Sequence, residues 1–222
     1  MKAVNPGDDS GLAKVEPVPP TRPWTTLMRA FLAIPLPAEI KNRAVLVQRQ
    51  LTGALAGIRW VKPANMHLTL KFFPALAEEN LEKIGQIMLS VGVLLTSFPV
   101  SIQGLGTFPN PARARVFWLG VQGGAFLNQL YERLEQEFEQ LGIPREGRLF
   151  APHLTLGRHR RGLFVPESIC RQYEAFHGGT FHVDQVVLYQ SRLEPSGAIH
   201  LPLRSLSLGG SLPDPSHPKK DR

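Results

Sequence analysis

Cysteine and long apolar runs are nearly missing from this chain. Cys170 is the only cysteine among 222 residues. One thiol cannot form an internal disulfide, and it excludes metal sites that are built from several cysteines. No apolar run approaches the roughly 20 residues that a membrane-spanning helix needs, and the first residues lack the apolar stretch of a secretory signal. We therefore expect a cytoplasmic protein with no membrane partner.

Acidic residues are the minority, and two stretches contain none. The chain has 25 Lys and Arg against 18 Asp and Glu, a net charge of +7. This excess favours an anionic partner such as a phosphate or a nucleic acid. Residues 59–73 and 147–165 contain no acid but hold these basic residues: Arg59, Lys62, Lys71, Arg148, Arg158, Arg160 and Arg161.

The tetrapeptide His-Leu-Thr-Leu occurs twice, once in each half of the chain. An early strand residue, Ala30 in one half and Val116 in the other, precedes the histidine by the same spacing. Such a repeat predicts two similar lobes related by an approximate twofold axis. The two copies are His67, Leu68, Thr69, Leu70 and His153, Leu154, Thr155, Leu156.

Hydrophobic periodicity predicts alternating strands and helices. Each half is expected to run strand, helix, His-Leu-Thr-Leu strand, helix and strand, the last beginning at Phe98 or Phe181. Charged residues 132, 133, 135, 137 and 139 of the third helix are expected to face solvent. We predict helices over 37–55, 77–95, 126–141 and 166–176, and strands over 29–34, 66–73, 98–104, 115–121, 153–158, 181–190 and 199–207.

The two ends of the chain differ in composition from the rest. Residues 1–27 are rich in Pro, Gly and charge, and residues 209–222 are similar. We expect both segments to be disordered. The folded domain is therefore predicted over residues 28–208, as an α/β (α+β) structure with two interleaved lobes.

Alternation along a strand sorts the motif residues into two sets. Successive side chains point to opposite faces, so the leucines of each motif enter the core together, while His67 and Thr69 share the other face. The same holds for His153 and Thr155. Two related lobes would then present two His-Thr pairs to one central cleft.

These residue types suit acid-base chemistry at a phosphate. An imidazole pKa near 6.5 allows one neutral and one protonated histidine near neutral pH, which gives a general base and a general acid. The threonine hydroxyls can donate hydrogen bonds to charged oxygens. Two histidines without nearby carboxylates or cysteines supply too few ligands for zinc or magnesium. The pattern predicts metal-free attack on a phosphodiester, with no cofactor.

The motifs together resemble those of the 2H phosphoesterase superfamily, in particular its RNA 2′,3′-cyclic phosphodiesterase branch, also called 2′–5′ RNA ligase. The resemblance covers nearly all of residues 28–208. It implies a bilobal duplicated fold, with two antiparallel sheets and outer helices around a central cleft. It is carried by these segments, in order and spacing: "MRAFLAI", "RWVKPANMHLTLKFF", "GLGTFP", "RVFWLGV", "FAPHLTLGR" and "VVLYQSRL".

The resemblance also implies a reaction and a role for each site residue. The expected reaction is hydrolysis of a terminal RNA 2′,3′-cyclic phosphate to a 2′-phosphate. His67 is expected to donate a proton to the leaving oxygen, and His153 to accept one from water. Thr69, Thr155 and Arg158 are expected to hold the phosphate. Strict alternation from His153 would put Arg158 on the core face, unless Gly157 permits a bulge.

Other functions are compatible with the same residues. The reaction could run in reverse and join RNA ends through a 2′–5′ bond, since the same two histidines would catalyse either direction. The same cleft could bind nucleotides or RNA ends without turnover. It could also act on a small cyclic nucleotide in place of an RNA end. We expect a monomer whose partners are RNA ends or nucleotides that carry a 2′,3′-cyclic phosphate.

Overall fold

The computed structural model describes residues 26–195 and 197–208. The predicted disordered ends lie outside the described residues, except that the first strand begins at Leu27. Nine strands form one antiparallel sheet in this described part of the chain. They are β1 (Leu27–Pro35), β2 (Arg59–Trp60), β3 (His67–Ala77), β4 (Phe98–Phe108), β5 (Ala114–Gln122), β6 (His153–Leu163), β7 (His177–Val183), β8 (Gln185–Glu194) and β9 (Gly197–Ser207).

Helices accompany the sheet at the positions predicted from periodicity. The fourth is shorter than the predicted 166–176 and ends at Gln172. The second is also shorter than predicted, because β3 continues to Ala77 and a single 3₁₀ turn, Glu78–Asn80, follows it. The predicted strand over 181–190 is two strands, separated at Asp184. The helices are α1 (Ala38–Ala54), α2 (Leu81–Gly92), α3 (Gly124–Gln140) and α4 (Glu167–Gln172).

The strand order shows two halves of the sheet that meet at the motif strands. The order is β7-β4-β5-β6-β3-β1-β8-β9, with β2 added beside β6. The central β3–β6 pairing consists of one residue pair, Leu68 opposite Leu154. The two predicted sheets are thus four-strand halves that this pair joins. The mixed α/β class with a duplicated arrangement is confirmed.

One predicted correspondence between the halves is wrong. The strands that begin near Phe98 and Phe181 were expected to be equivalent, yet β4 and β7 are neighbours in the same half, with Phe98 opposite Val183. By position in the sheet, the counterpart of β4 is β8, which lies beside β1 as β4 lies beside β5. The chain changes halves at Asp184, and each lobe therefore contains strands from both parts of the sequence.

The core is built as the predicted alternation and helix periodicity require. Leu68, Leu154 and Leu156 are fully buried, and Leu70 is nearly so. The apolar stripe of α3 is buried as expected from Leu127 to Phe138. Glu135 is the exception to the predicted solvent-facing charges, because its side chain is buried in the core with Lys71.

Candidate active site

The two His-Thr pairs lie on one face of the sheet, where its halves join. All four side chains are partly exposed, while the leucines between them are buried. Leu68 opposite Leu154 is the pair that joins β3 to β6, so the two antiparallel motif strands meet there and each contributes one His-Thr pair at the junction. We call His67, Thr69, His153 and Thr155 the motif face.

Both histidines make the same kind of hydrogen bond to the backbone. His67 Nδ1 lies 2.8 Å from the carbonyl oxygen of Asn65, and His153 Nδ1 lies 2.7 Å from that of Ala151. A carbonyl oxygen can only accept, so Nδ1 carries the hydrogen in each ring. Each neutral imidazole therefore keeps its lone pair on Nε2, away from the anchoring loop. The twofold repeat extends to the tautomer.

The surroundings of His67 are aromatic and include a third histidine. The Phe31 ring stacks on His67 with centroids 4.4 Å apart, and Tyr189 stacks on Phe31 at 5.3 Å. His200 meets His67 edge-on at 5.2 Å. The Asn65 amide donates to the carbonyl oxygen of Ala198 at 2.8 Å, which ties β9 to the loop that anchors His67. Sequence reasoning missed His200, because it has no counterpart in the repeat.

His153 has aromatic neighbours of another kind. The Phe108 ring meets it edge-on with centroids 5.1 Å apart, and the Trp118 indole lies 6.1 Å away. A Cβ at Gly106 would come within 2.1 Å of that indole, so Gly106 leaves the space that Trp118 fills. In the described residues, the Trp118 Nε1 and Thr107 Oγ1 atoms are buried without a hydrogen-bond partner.

Burial and positive charge lower the pKa of both catalytic candidates. Desolvation, followed by His200, Lys41 and Arg158, lowers the pKa of His67 from 6.5 to about 4. Desolvation and then Arg158 lower the pKa of His153 below its usual value as well. Both rings are neutral near pH 7 in the unliganded protein. The positive charge of Arg158 therefore lowers the pKa of both histidines of the motif face.

A bulge turns Arg158 away from the core. Phe117 pairs with Gly157 and Trp118 with Thr155, so Leu156 is an extra residue of β6. Leu156 and Gly157 are consecutive buried residues, and Arg158 then emerges exposed. The buried Gln48 amide of α1 donates to the carbonyl oxygen of Leu156 at 2.8 Å. The bulge that strict alternation required is therefore present, and a side chain from α1 supports it.

The first motif has the same bulge but a different continuation. Leu32 pairs with Lys71 and Ala33 with Thr69, so Leu70 is the extra residue of β3. Lys71 follows it into the core, where its Nζ lies 2.7 Å from the Glu135 carboxylate and 2.6 Å from the carbonyl oxygen of Pro144. Lys71, counted in the sequence among the phosphate-attracting charges, is buried and paired, and it does not serve that purpose.

The carboxylate of Glu135 also accepts from the backbone N–H of Glu146 at 2.7 Å. The buried pair therefore binds the loop between Pro144 and Glu146, which precedes the second motif strand. A charge beside the first motif thus helps to fix the loop that leads into the second motif strand.

Among residues 26–195 and 197–208, no three His, Cys, Asp or Glu side chains come together as a set of metal ligands.

Comparison with known proteins gives a consistent result. The family model described as LigT-like phosphoesterase matches residues 34–118 and 121–200. A Methanothermobacter thermautotrophicus protein named RNA 2′,3′-cyclic phosphodiesterase is 34% identical over 175 residues, covering 78% of this chain and 95% of its own.

In the described part of the chain, no helix has the length and apolarity to cross a membrane.

Two crystal structures show a similar fold. A Thermus thermophilus protein superposes with a TM-score of 0.71 at 30% identity, covering 82% of this chain and 99% of its own. E. coli LigT complexed with 3′-AMP superposes with a TM-score of 0.69 at 26% identity and covers the same shares. With both halves matched by the family model and a relative above 30% identity, the chain belongs to the LigT-like phosphoesterase family and is an enzyme.

Proposed function

We propose that this protein hydrolyses terminal RNA 2′,3′-cyclic phosphates to 2′-phosphates by metal-independent acid-base catalysis between His67 and His153. The observation that carries the proposal is the paired anchoring of the two imidazoles. Each holds its Nδ1–H on a backbone carbonyl and keeps Nε2 for proton transfer, on either side of the junction between lobes. The relative from Methanothermobacter is named RNA 2′,3′-cyclic phosphodiesterase, and LigT was crystallised with 3′-AMP.

The proposed steps use one proton at each histidine. Neutral His153 accepts a proton at Nε2 from a water molecule, whose oxygen attacks phosphorus. The bond from phosphorus to the ribose 3′ oxygen breaks, and protonated His67 donates its Nε2 proton to that oxygen. The products are a free 3′ hydroxyl and a 2′-phosphate. His153 then loses a proton to solvent and His67 regains one, which restores the starting state.

The remaining motif residues stabilise negative charge. Thr69 and Thr155 share the face of the histidines and can donate their hydroxyl hydrogens to the non-bridging phosphate oxygens. Arg158, turned outward by the bulge, adds a guanidinium that can bind phosphate through two N–H groups. In the described residues, no carboxylate forms an ion pair with Arg158. None therefore competes with the phosphate for its guanidinium.

The proposed acid needs its proton when the substrate is bound. With a pKa of about 4, His67 is neutral at pH 7 in the unliganded protein. A bound phosphate carries negative charge next to the ring, which favours the imidazolium and raises its pKa. We therefore propose that His67 takes up its proton together with the substrate.

The experiment uses the purified protein, excess EDTA and a short RNA that ends in a 2′,3′-cyclic phosphate. Chromatography identifies the position of the product phosphate. We expect a 2′-phosphate, at a rate that EDTA leaves unchanged. His67→Gln and His153→Gln serve as matched variants, because glutamine preserves polarity without acid-base function.

Three outcomes would contradict the proposal. A 3′-phosphate product would reverse the leaving group. Loss of activity in EDTA, restored by added metal, would overturn the metal-independent mechanism. Binding of the RNA without any turnover would favour a binding protein.

We also propose that residues 28–208 act as a cytoplasmic monomer, because one chain supplies both motifs. Light scattering of the full chain and of a variant truncated to residues 28–208 tests whether the protein is a monomer.

A further inference from the structure

An arginine pair lies beside the second motif, beyond the phosphate that the motif face would hold. Arg59 of β2 is directly opposite Arg158 of β6, and both side chains are exposed. Directly opposite residues of an antiparallel pair share a face and lie close together. Trp60, the next residue, packs over Gly157 on the core side, with its ring 2.7 Å from where a Cβ would be. Arg59 therefore points to the side of the motif face.

A third arginine continues the row along β6. The His159 ring reaches toward Gly57, where a Cβ would come within 2.9 Å of its Nε2. His159 therefore points away from the motif face, as alternation with Arg158 requires. Arg160 is exposed as well. We call Arg59, Arg158 and Arg160 the arginine row; it begins three residues beyond Thr155.

The protein itself does not neutralise this row. Like charges directly opposite each other on paired strands destabilise a sheet. The ion pairs found in the described ranges involve none of the three arginines. The neighbouring strands β4 and β5 carry no acid either, because Asp and Glu are absent from the sequence between Glu82 and Glu132. Uncompensated guanidiniums at one edge of a site point to an anionic ligand that extends past the site.

We propose that Arg59 and Arg160, on either side of Arg158 in the arginine row, bind the backbone phosphates of an RNA chain upstream of its terminal cyclic phosphate. A mononucleotide has no such phosphates. The row therefore makes an oligonucleotide a better substrate than a cyclic mononucleotide. This inference rests on the proposed function, since it assumes that the cyclic phosphate lies on the motif face. It adds the residues that would hold the RNA backbone beyond the reacting phosphate and so set the preference for a polymer.

The experiment compares two substrates in the same protein. The first is 2′,3′-cyclic AMP and the second is a short RNA with a 2′,3′-cyclic phosphate end. The double variant R59Q/R160Q is expected to lower the ratio of kcat/KM for RNA to that for cyclic AMP by roughly tenfold at low salt. Arg158 is left intact, because it is assigned to the reacting phosphate. The charge-preserving R59K/R160K should keep most of the ratio.

Salt dependence gives a second, independent readout. Each phosphate contact on single-stranded nucleic acid contributes about 0.7 to the slope of log affinity against log salt. Fluorescence anisotropy with a 5′-labelled RNA that ends in a 2′-phosphate needs no turnover. We expect the slope to fall by about 1.4 in R59Q/R160Q. The control Lys83→Gln removes an exposed charge from α2 and should change neither the slope nor the ratio.

The failures of the two proposals are distinguishable. If wild type hydrolyses both substrates and the double variant leaves the ratio and slope unchanged, the arginine row is contradicted and the proposed function stands. An equal loss on both substrates would also contradict the row, because the arginines would then act on the terminal nucleotide or on folding. If wild type hydrolyses neither substrate, the proposed function fails, and the anisotropy slope still decides whether the row binds RNA.

Discussion

The two motif strands share their backbone and differ in the two residues after each motif. Each strand has a bulge at the last leucine of its motif, Leu70 or Leu156, and each anchors its histidine on the carbonyl two residues earlier. After the bulge comes Lys71 or Gly157, both buried, and then an exposed residue.

The residues after the two motifs differ in chemistry. Lys71 makes the buried pair with Glu135, and the next side chain, Phe72, lies under the Arg29 guanidinium at 5.5 Å from the ring centroid. In the second lobe Gly157 leaves room for Trp60, and Arg158 emerges at the site. The duplicated geometry is therefore shared where protons would move. The flanking positions differ, because one serves packing and the other carries the exposed arginine to which we assign phosphate binding.

The largest effect is expected from removing either histidine. His67→Ala and His153→Ala should each lower kcat by about 10²–10⁴, because each deletes one proton transfer. The double variant should lose little more than the worse single variant, since the residues act as a unit. Steady-state assays of the cyclic phosphodiester measure this. Near-normal activity in one single variant would break the equivalence of the two lobes.

The next effect concerns the residue that distinguishes the first lobe. Lys71→Met should lower the free energy of unfolding by about 3–5 kcal/mol, because Glu135, only 2% exposed, would be left as an unpaired buried charge. Adding Glu135→Leu should recover most of the loss. Urea denaturation is the measurement, with Arg171→Met as control, since its exposed pair with Glu167 is worth less than about 1 kcal/mol.

A result within the error of that control would mean that the buried pair does not hold the loop before the second motif. The activity of Lys71→Met at a temperature where it is folded would separate the two effects. We expect folded Lys71→Met to have a reduced kcat, because the buried pair binds Pro144 and Glu146 upstream of His153.

The corresponding position of the second lobe gives a smaller effect. Gly157→Ala should cost about 1–3 kcal/mol of unfolding free energy through overpacking, because the new Cβ would lie 2.6 Å from Ile58 and 2.7 Å from Trp60. The matched control is Gly53→Ala near the end of α1, where a Cβ meets nothing within 4 Å. That change should be neutral or stabilising. Equal stability of the two variants would contradict the proposed packing.

The pH dependence of stability should differ between wild type and His67→Gln. Because the folded-state pKa of His67 is about 4 and the unfolded value is about 6.5, the unfolded chain binds the proton first as pH falls. Stability should therefore decline from pH 6.5 toward pH 4, with His67 contributing up to about 1.4 kcal/mol per pH unit. Urea titrations at several pH values should show a shallower decline in His67→Gln. An identical decline would contradict the burial of that imidazole.

The smallest expected effect is that of the third histidine. His200→Gln removes a ring that meets His67 edge-on and whose charge lowers the pKa of His67. We expect a small upward shift of the His67 pKa, measured by NMR of the imidazole resonances, and none for His153. A shift of both would mean that the surroundings of the two histidines are less separate than described.

The sequence was sufficient for the features that repeat or alternate. The two motifs predicted the paired strands, and alternation predicted which side chains are buried. Arg158 needed a bulge, and the condition was visible in Gly157. The buried charge of Glu135 was missed because its helical position is also consistent with a solvent-facing one. Only tertiary packing brings Lys71 to it.

Other features depend on which strands become neighbours. His200 lies on β9, which reaches the first lobe only because the chain changes halves at Asp184. Arg59 belongs to a two-residue strand that is too short to produce a periodic pattern, and its pairing with Arg158 is a property of the sheet. No local signal in the sequence specifies such long-range partners.

The proposed mechanism requires that the two lobes supply opposite proton transfers to one phosphate. The most direct measurement uses a cyclic substrate whose 3′ oxygen is replaced by sulfur, a leaving group that departs without a proton. We predict that this substrate restores most of the activity of His67→Ala and leaves His153→Ala inactive. Restoration of His153→Ala instead would reverse the two roles. Restoration of neither would contradict the role of His67 as the acid.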